Sequence, residues 1–273
     1  MMNTLKLSIS TGFCYTMKSE KLFETIAASG CKNIELLMNQ VVAGMTDDEI
    51  IAVIDKYNLK VCSVHAFPQV WLPEFGDEEH AALERALQLA EHFGAQHVTS
   101  HFTPIKSNGV FVCNDDNHLK TISSFNSFCD IPVATENFPA GLPTILCNYA
   151  ELLQYLEKNP LPLTFDTTHC ADNGVDIFRG YEMFRPYVRN IHLSDYLSGE
   201  SRKEFGRGIM HLAPGCGELP LQDFLRHIVA DGYDGLLTLE MDFASPGVGN
   251  YTDGDMIAGE LRKAIEYIEE IIN

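Results

Sequence analysis

Residues 33–66, NIELLMNQVVAGMTDDEIIAVIDKYNLKVCSVHA, decide the fold. Asn33–Met38 and Lys60–Ala66 are of strand length and rich in Ile, Leu and Val. Between them, Thr46-Asp-Asp-Glu49 has the spacing of a capping box, in which the Thr and Glu side chains accept each other's free backbone N–H groups. A helix is therefore predicted from Thr46 to about Tyr57. Strand, helix and strand in this order form a βαβ unit, whose helical crossover makes the two strands parallel.

The unit recurs in both directions. Towards the N-terminus lie a strand at Lys6–Ser10 and a helix at Glu20–Ser29 closed by Gly30. Downstream, a helix at Asp77–Phe93, closed by Gly94, leads to a strand at His97–Phe102 and a less regular helix at Asn117–Phe128. The later strands are Pro132–Asn137, Leu163–Asp166, Asn190–Ser194 and Gly235–Met241. Their helices are Tyr149–Glu157, Val175–Phe184, Leu221–Ala230 and Asp255–Ile272. Strict alternation of eight strands and eight helices predicts an α/β chain folded as one (β/α)8 TIM barrel domain spanning residues 1–273. An open doubly wound sheet is the alternative. The first strand is followed by no G-x-G-x-x-G or Walker-type glycine loop, which weakens it.

Composition narrows the function. The 273 residues are 45% apolar, enough for a large core, and carry a formal net charge of −19. A nucleic-acid partner needs a basic stripe to displace counterions from phosphates, so this charge argues against one. No segment reads as a membrane span or secretory leader, and the chain is read as cytoplasmic. Eight cysteines are scattered without a C-x-x-C pair, so they are expected to stay reduced, with Cys170 and Cys216 the nearest to the site described next.

Ionisable residues gather at the carboxyl ends of successive strands: His65, His101, Glu136, Asp166 with His169, His192 with Asp195, and Glu240. In a barrel all these ends converge on one face. Carboxylates buried together without a positive centre are strongly disfavoured, so the pattern predicts a divalent metal. Imidazole and carboxylate donors suit Zn²⁺ or Mn²⁺, with Co²⁺ and Fe²⁺ also compatible. His80, His92, His118 and His227 fall in helical segments and His97 begins a strand; these are read as surface or structural residues.

The chain resembles the xylose-isomerase-like barrel superfamily, which includes sugar and inosose isomerases, ketose 3-epimerases and type-IV apurinic endonucleases. The resemblance rests on Thr135-Glu136-Asn137, Asp166-Thr-Thr-His169, Ile191-His192-Leu-Ser-Asp195, His211-Leu-Ala-Pro-Gly215-Cys-Gly217 and Leu239-Glu240, in that order. It implies one metal held by Glu136, Asp166, His192 and Glu240. Glu136 and Glu240 would then be the acid/base pair of a sugar or cyclitol isomerase or epimerase, and a small sugar-like molecule the partner.

The endonucleases resemble the chain in more residues. His65, His101, His169 and His211 match further ligands of their three-zinc centre, implying a second metal or a substrate contact, and a phosphodiester hydrolase as the alternative activity. Their pattern also has an Asp two residues before His211, where this chain has Ile209. Residues 61–84 contain no Lys or Arg, and the one basic cluster near the mouth is Arg202, Lys203 and Arg207. That is few for a duplex, in which each phosphate contact needs a cation. Arg207 is a candidate for a phosphate or carboxylate on a small substrate, and Glu35 for substrate hydroxyls or for orienting a metal ligand. Phe67, Trp71 and Phe75 are candidates for covering an apolar sugar face or for ordinary packing.

Overall fold

The structure, a computed structural model, describes residues 5–13, 17–66, 79–101, 105–107, 110–199, 208–243 and 253–272. Its barrel strands are β1 (Lys6–Ser10), β2 (Asn33–Leu37), β3 (Lys60–Ala66), β4 (His97–Ser100), β5 (Val133–Glu136), β6 (Leu163–Asp166), β7 (Val188–Leu193) and β8 (Leu236–Leu239). They close in the order β1-β8-β7-β6-β5-β4-β3-β2, every neighbouring pair parallel, as the alternation predicts.

The helices outside are α1 (Ser19–Ser29), α2 (Asp47–Lys56), α3 (Glu79–Phe93), α4 (Asp115–Asn126), α5 (Tyr149–Lys158), α6 (Ile177–Phe184), α7 (Leu221–Ala230) and α8 (Gly254–Ile272). Side-chain caps set several boundaries. Both halves of the Thr46–Glu49 capping box form at α2. Asn114 caps α4 and moves its start ahead of the predicted Asn117. Asp176 caps α6, so that helix starts at Ile177 rather than at Val175. Gly30 ends α1 at φ 96°, a left-handed conformation that favours glycine.

The two faces of the barrel wall differ in chemistry. The outward face is apolar: Phe165 on β6 meets the rings of Tyr181 on α6 and Phe224 on α7. The inward face is polar. Thr99 and Thr164 are hydrogen-bonded at 2.8 Å although β4 and β6 are not neighbours, so the bond crosses the interior. Asn190 on β7 likewise reaches across to Glu35 on β2 at 3.0 Å.

Elements absent from the sequence reading add the mouth. Asp195–Ser198 and Gly208–Leu212 form an antiparallel hairpin above β7, and Ile105–Ser107 pairs with Val110–Val112 after β4. Thr167–Asp172 is a short helix directly after β6, and Gln40–Ala43 another after β2. Among the described residues, no helix is long and apolar enough to cross a membrane.

Candidate metal centre

Glu136, Asp166, His192 and Glu240 come from β5, β6, β7 and the residue after β8, and each offers a ligand atom within 4.8 Å of the others. Donors around one first-row ion are spread over about 3–4 Å, given bond lengths near 2.1 Å. His192 is the hub: its Nδ1 lies 3.0 Å from Glu136 Oε1 and 2.7 Å from Glu240 Oε2. Three of the four side chains are at most 1% exposed, whereas Glu240 is 15% exposed and faces the opening.

The electrostatics are those of a cation site. Glu136 Oε2 and Asp166 Oδ2 are enclosed and accept no hydrogen bond from the described residues. A buried carboxylate oxygen without a hydrogen-bond donor costs several kcal/mol, which a divalent ion would offset; the His65 ring, with Nε2 3.4 Å from Glu136 Oε2, is near enough to share that role at Glu136. Burial pulls the His192 imidazolium down, but Glu240, Glu35 and Glu136 outweigh it and raise it well above the ordinary value. Burial pushes Glu240 up, and His192 then His211 reverse this and hold it well below the carboxylate range. The residues present therefore fit a divalent metal.

Two further groups flank this one. Asp166, His169 and His211 offer ligand atoms within the same 4.8 Å limit. Asp166 Oδ1 accepts from Thr168 Oγ1 at 2.8 Å and His169 N at 2.7 Å, which leaves Oδ2 for the mouth. His169 Nδ1 donates to the Asn137 carbonyl at 2.8 Å; a carbonyl only accepts, so Nδ1 carries a hydrogen and Nε2 is the nitrogen left to act as a ligand. His211 adopts φ 58°, unusual for a side chain with a Cβ, and its carbonyl accepts from Asp242 N at 3.0 Å.

Glu35, His65 and His192 form the other group, deeper in the barrel. Glu35 Oε1 is 3.0 Å from His192 Nε2 and 3.5 Å from His65 Nδ1. His65 Nε2 is 3.4 Å from Glu136 Oε2. Burial raises Glu35, and His192 and His65 outweigh it and hold it well below the usual range.

Other expectations divide. His101 stacks near His65, with ring centroids 5.6 Å apart, but belongs to none of the three groups. Asp195, quoted with His192 in the strand-seven motif, is structural. Its two oxygens accept the backbone N–H groups of Tyr196, Gly215, Gly217 and Leu219 at 2.9–3.0 Å. A Cβ on Gly217 would stand 2.4 Å from Asp195 Oδ1, which is why glycine occupies that place. His118 is buried rather than on the surface; it pairs with Glu79 and meets Thr135 Oγ1 at 3.0 Å. His97 is buried too, and burial pulls its imidazole down to about 4, keeping it neutral. Arg207, with Arg202, Lys203, Phe67, Trp71 and Phe75, lies outside the described residues.

Fold and mouth together define a (β/α)8 barrel with a carboxylate–imidazole cluster on its carboxyl-terminal face. The chain belongs to the xylose isomerase-like TIM barrel family, whose model matches residues 23–271. An uncharacterized protein of Mycobacterium tuberculosis is 24% identical over 290 residues, covering 97% of this chain and 98% of its own. Among solved structures, D-psicose 3-epimerase from Clostridium cellulolyticum H10, determined with D-tagatose, superposes with TM-score 0.72 at 13% identity, covering 98% of this chain and 100% of that one. A xylose isomerase-like TIM barrel protein from Mycobacterium smegmatis, in complex with magnesium, gives TM-score 0.70 at 13% identity, covering 100% and 99%.

Proposed function

We propose that the protein is a metal-dependent sugar or cyclitol isomerase or epimerase. Glu136, Asp166, His192 and Glu240 would hold one divalent ion, Zn²⁺ or Mn²⁺ by donor type, with Co²⁺ and Fe²⁺ compatible. The observation that carries this reading is the four-donor group itself, with two enclosed oxygens lacking a donor and Glu240 open to the mouth. Magnesium beside one structural neighbour and a ketose in another support it.

A divalent ion bound there would polarise a substrate carbonyl and its neighbouring hydroxyl, acidifying the adjacent C–H. The chain's own residues do the rest. Glu240, ionised and facing the opening, removes the proton from one side. Glu136 on β5 stands across His192 from it and returns a proton at the other carbon or face. His169 and His211 line the same mouth and serve substrate oxygens or a second ion.

Deuterium exchange tests the reaction class without knowledge of the product. The metal-loaded protein is incubated with ketoses such as D-tagatose in D₂O and the carbon next to the carbonyl is followed by NMR. Incorporation that falls on the order of 10²–10⁴-fold in Glu136→Gln and Glu240→Gln is expected; substantial residual exchange in both variants rules out the two-carboxylate scheme.

The Asp166–His169–His211 group supports one other reading, phosphodiester hydrolysis with two or more ions. Ile209, half-buried in the hairpin, supplies no donor for a third. Metal analysis separates the two: close to one ion per chain favours the isomerase, and two or three favour the hydrolase.

A further inference from the structure

We propose that Phe138 is a specificity-determining residue: its ring walls His101 off from the candidate metal centre, so His101 holds no ion and the mouth takes fewer ions than its histidines would allow. The inference rests on the metal reading above and deepens it, because ion number is what separates the two activities considered there.

Six rings follow one another around the mouth. Between centroids, His192 lies 5.2 Å from His65, His65 5.6 Å from His101, and His101 4.4 Å from Phe138. Phe138 lies 6.2 Å from His169, and His169 5.5 Å from His211. The rings come from β7, β3, the residue after β4, the loop after β5, the short helix after β6 and the hairpin. Five of them are imidazoles. Among the described residues, four of the five belong to a possible cation group and His101 does not. It is also the imidazole packed against the phenyl ring, and that contact is the shortest in the row.

Phe138 is 2% exposed, so its ring fills the space between His101 and His169 and offers no face to a substrate. A phenyl ring has no lone pair for an ion and cannot replace the waters that an ion gives up. The space it fills is therefore closed to a cation. Apolar side chains around a metal site control solvent access and dielectric in this way. On the other side of His101 the chemistry is the opposite. His65 Nε2 and Glu136 Oε2 are 3.4 Å apart, within the spread of donors around one ion. A third donor would complete a site there. His101 could supply it, but is packed on Phe138 instead, with 51° between the ring planes.

The wall is rigid because the backbone on both sides of it is bonded. Phe138 N donates to the Leu146 carbonyl at 3.0 Å, and its own carbonyl accepts from Asn173 Nδ2. Before it, the Asn137 side chain accepts from Asp166 N at 2.8 Å and donates to the Asp166 carbonyl at 3.0 Å. After it, Ala140 N donates to Asp172 Oδ2 at 3.0 Å. The ring cannot retreat without breaking these bonds, so His101 must accommodate it. Ordinary packing, with a ring that fills a gap and leaves ion binding untouched, is the competing account.

Chelator-stripped wild type, His101→Ala, Phe138→Ala and the Phe138→Ala/His101→Ala double variant are titrated with Co²⁺. Ions bound per chain and the visible d–d spectrum are read, with melting curves as the check on folding. Wild type and His101→Ala are expected to take up the same number of ions. Phe138→Ala is expected to gain one further ion per chain, with added d–d absorption, and the double variant to lose it again. Loss of an ion in His101→Ala makes His101 a ligand of the native protein and overturns the proposal. An unchanged count in folded Phe138→Ala makes the ring ordinary packing and overturns it too. So does a gained ion that survives in the double variant. If Phe138→Ala does not fold, His101→Ala decides alone: an unchanged count supports the wall and a lost ion refutes it. Failure of wild type to bind Co²⁺ strikes the metal reading first and this inference with it; normal wild-type binding with an unchanged Phe138→Ala strikes only Phe138.

Discussion

Asp166 and Asp195 are both completely buried aspartates at the barrel mouth, one at the end of β6 and the other just beyond β7, yet their surroundings differ. Asp195 divides four backbone N–H donors between its oxygens and ties down the connection from Gly215 to Leu219. Asp166 has both its donors on Oδ1, while Oδ2 is enclosed with none. Burial and charge are the same in the two cases. What distinguishes a candidate ligand from a structural clamp is whether the fold supplies donors to every oxygen. Asp166 also belongs to two of the three possible cation groups among the described residues.

The sharpest way to break the comparison is to neutralise each residue. Asp166→Asn is expected to cut deuterium exchange on the order of 10³-fold or more and to abolish tight ion retention, while the stripped variant melts close to stripped wild type. Asp195→Asn is expected to do the reverse. One end of the amide would face backbone N–H groups as a donor, costing about 2–4 kcal/mol of stability, seen as a lower denaturation midpoint. Its folded fraction should still bind one ion per chain. Equal loss of ion binding in both variants would erase the distinction.

Metal removal gives the next largest effect. An ion at 100 times its Kd adds about 2.7 kcal/mol to stability, so chelation should lower the melting temperature of wild type and of Asp195→Asn alike, and leave Asp166→Asn unmoved. The smallest effect is a proton count. His192 is raised well above the ordinary imidazole value when no ion is bound, so it carries a proton on each nitrogen at neutral pH. A bound ion must displace one of them. Ion binding near pH 7 should therefore release about one proton, and the release should shrink as pH rises through the raised His192 value. Calorimetry in buffers of different ionisation enthalpy measures it. No release would mean that His192 is not the hub ligand.

Much of this arrangement was legible along the chain. The Thr46–Glu49 capping box, the glycine stops at Gly30 and Gly94, and the eight apolar runs locate the elements to within a few residues. The donors at the carboxyl ends of β5 to β8 were legible because alternation along a strand places every second residue inward. The role of Asp195 was not, since four of its bonds go to backbone groups that carry no residue-type signal. The separation of His101 from the ligand groups, and the burial of His118 against Glu79 and Thr135, depend equally on how helices and loops pack.

The sequence by itself determined that the strands alternate with helices, that they are parallel, and that the ionisable side chains collect at one end of the strands. Local propensity, capping and period-two patterning suffice for that. Only the tertiary structure decided which of those side chains meet. Glu35 and Asn190 are 155 positions apart and touch because the barrel closes with one register among several and a shift between β2 and β3. Register is a property of strand pairs, set by closure and by side chains from across the interior, and no single strand contains it.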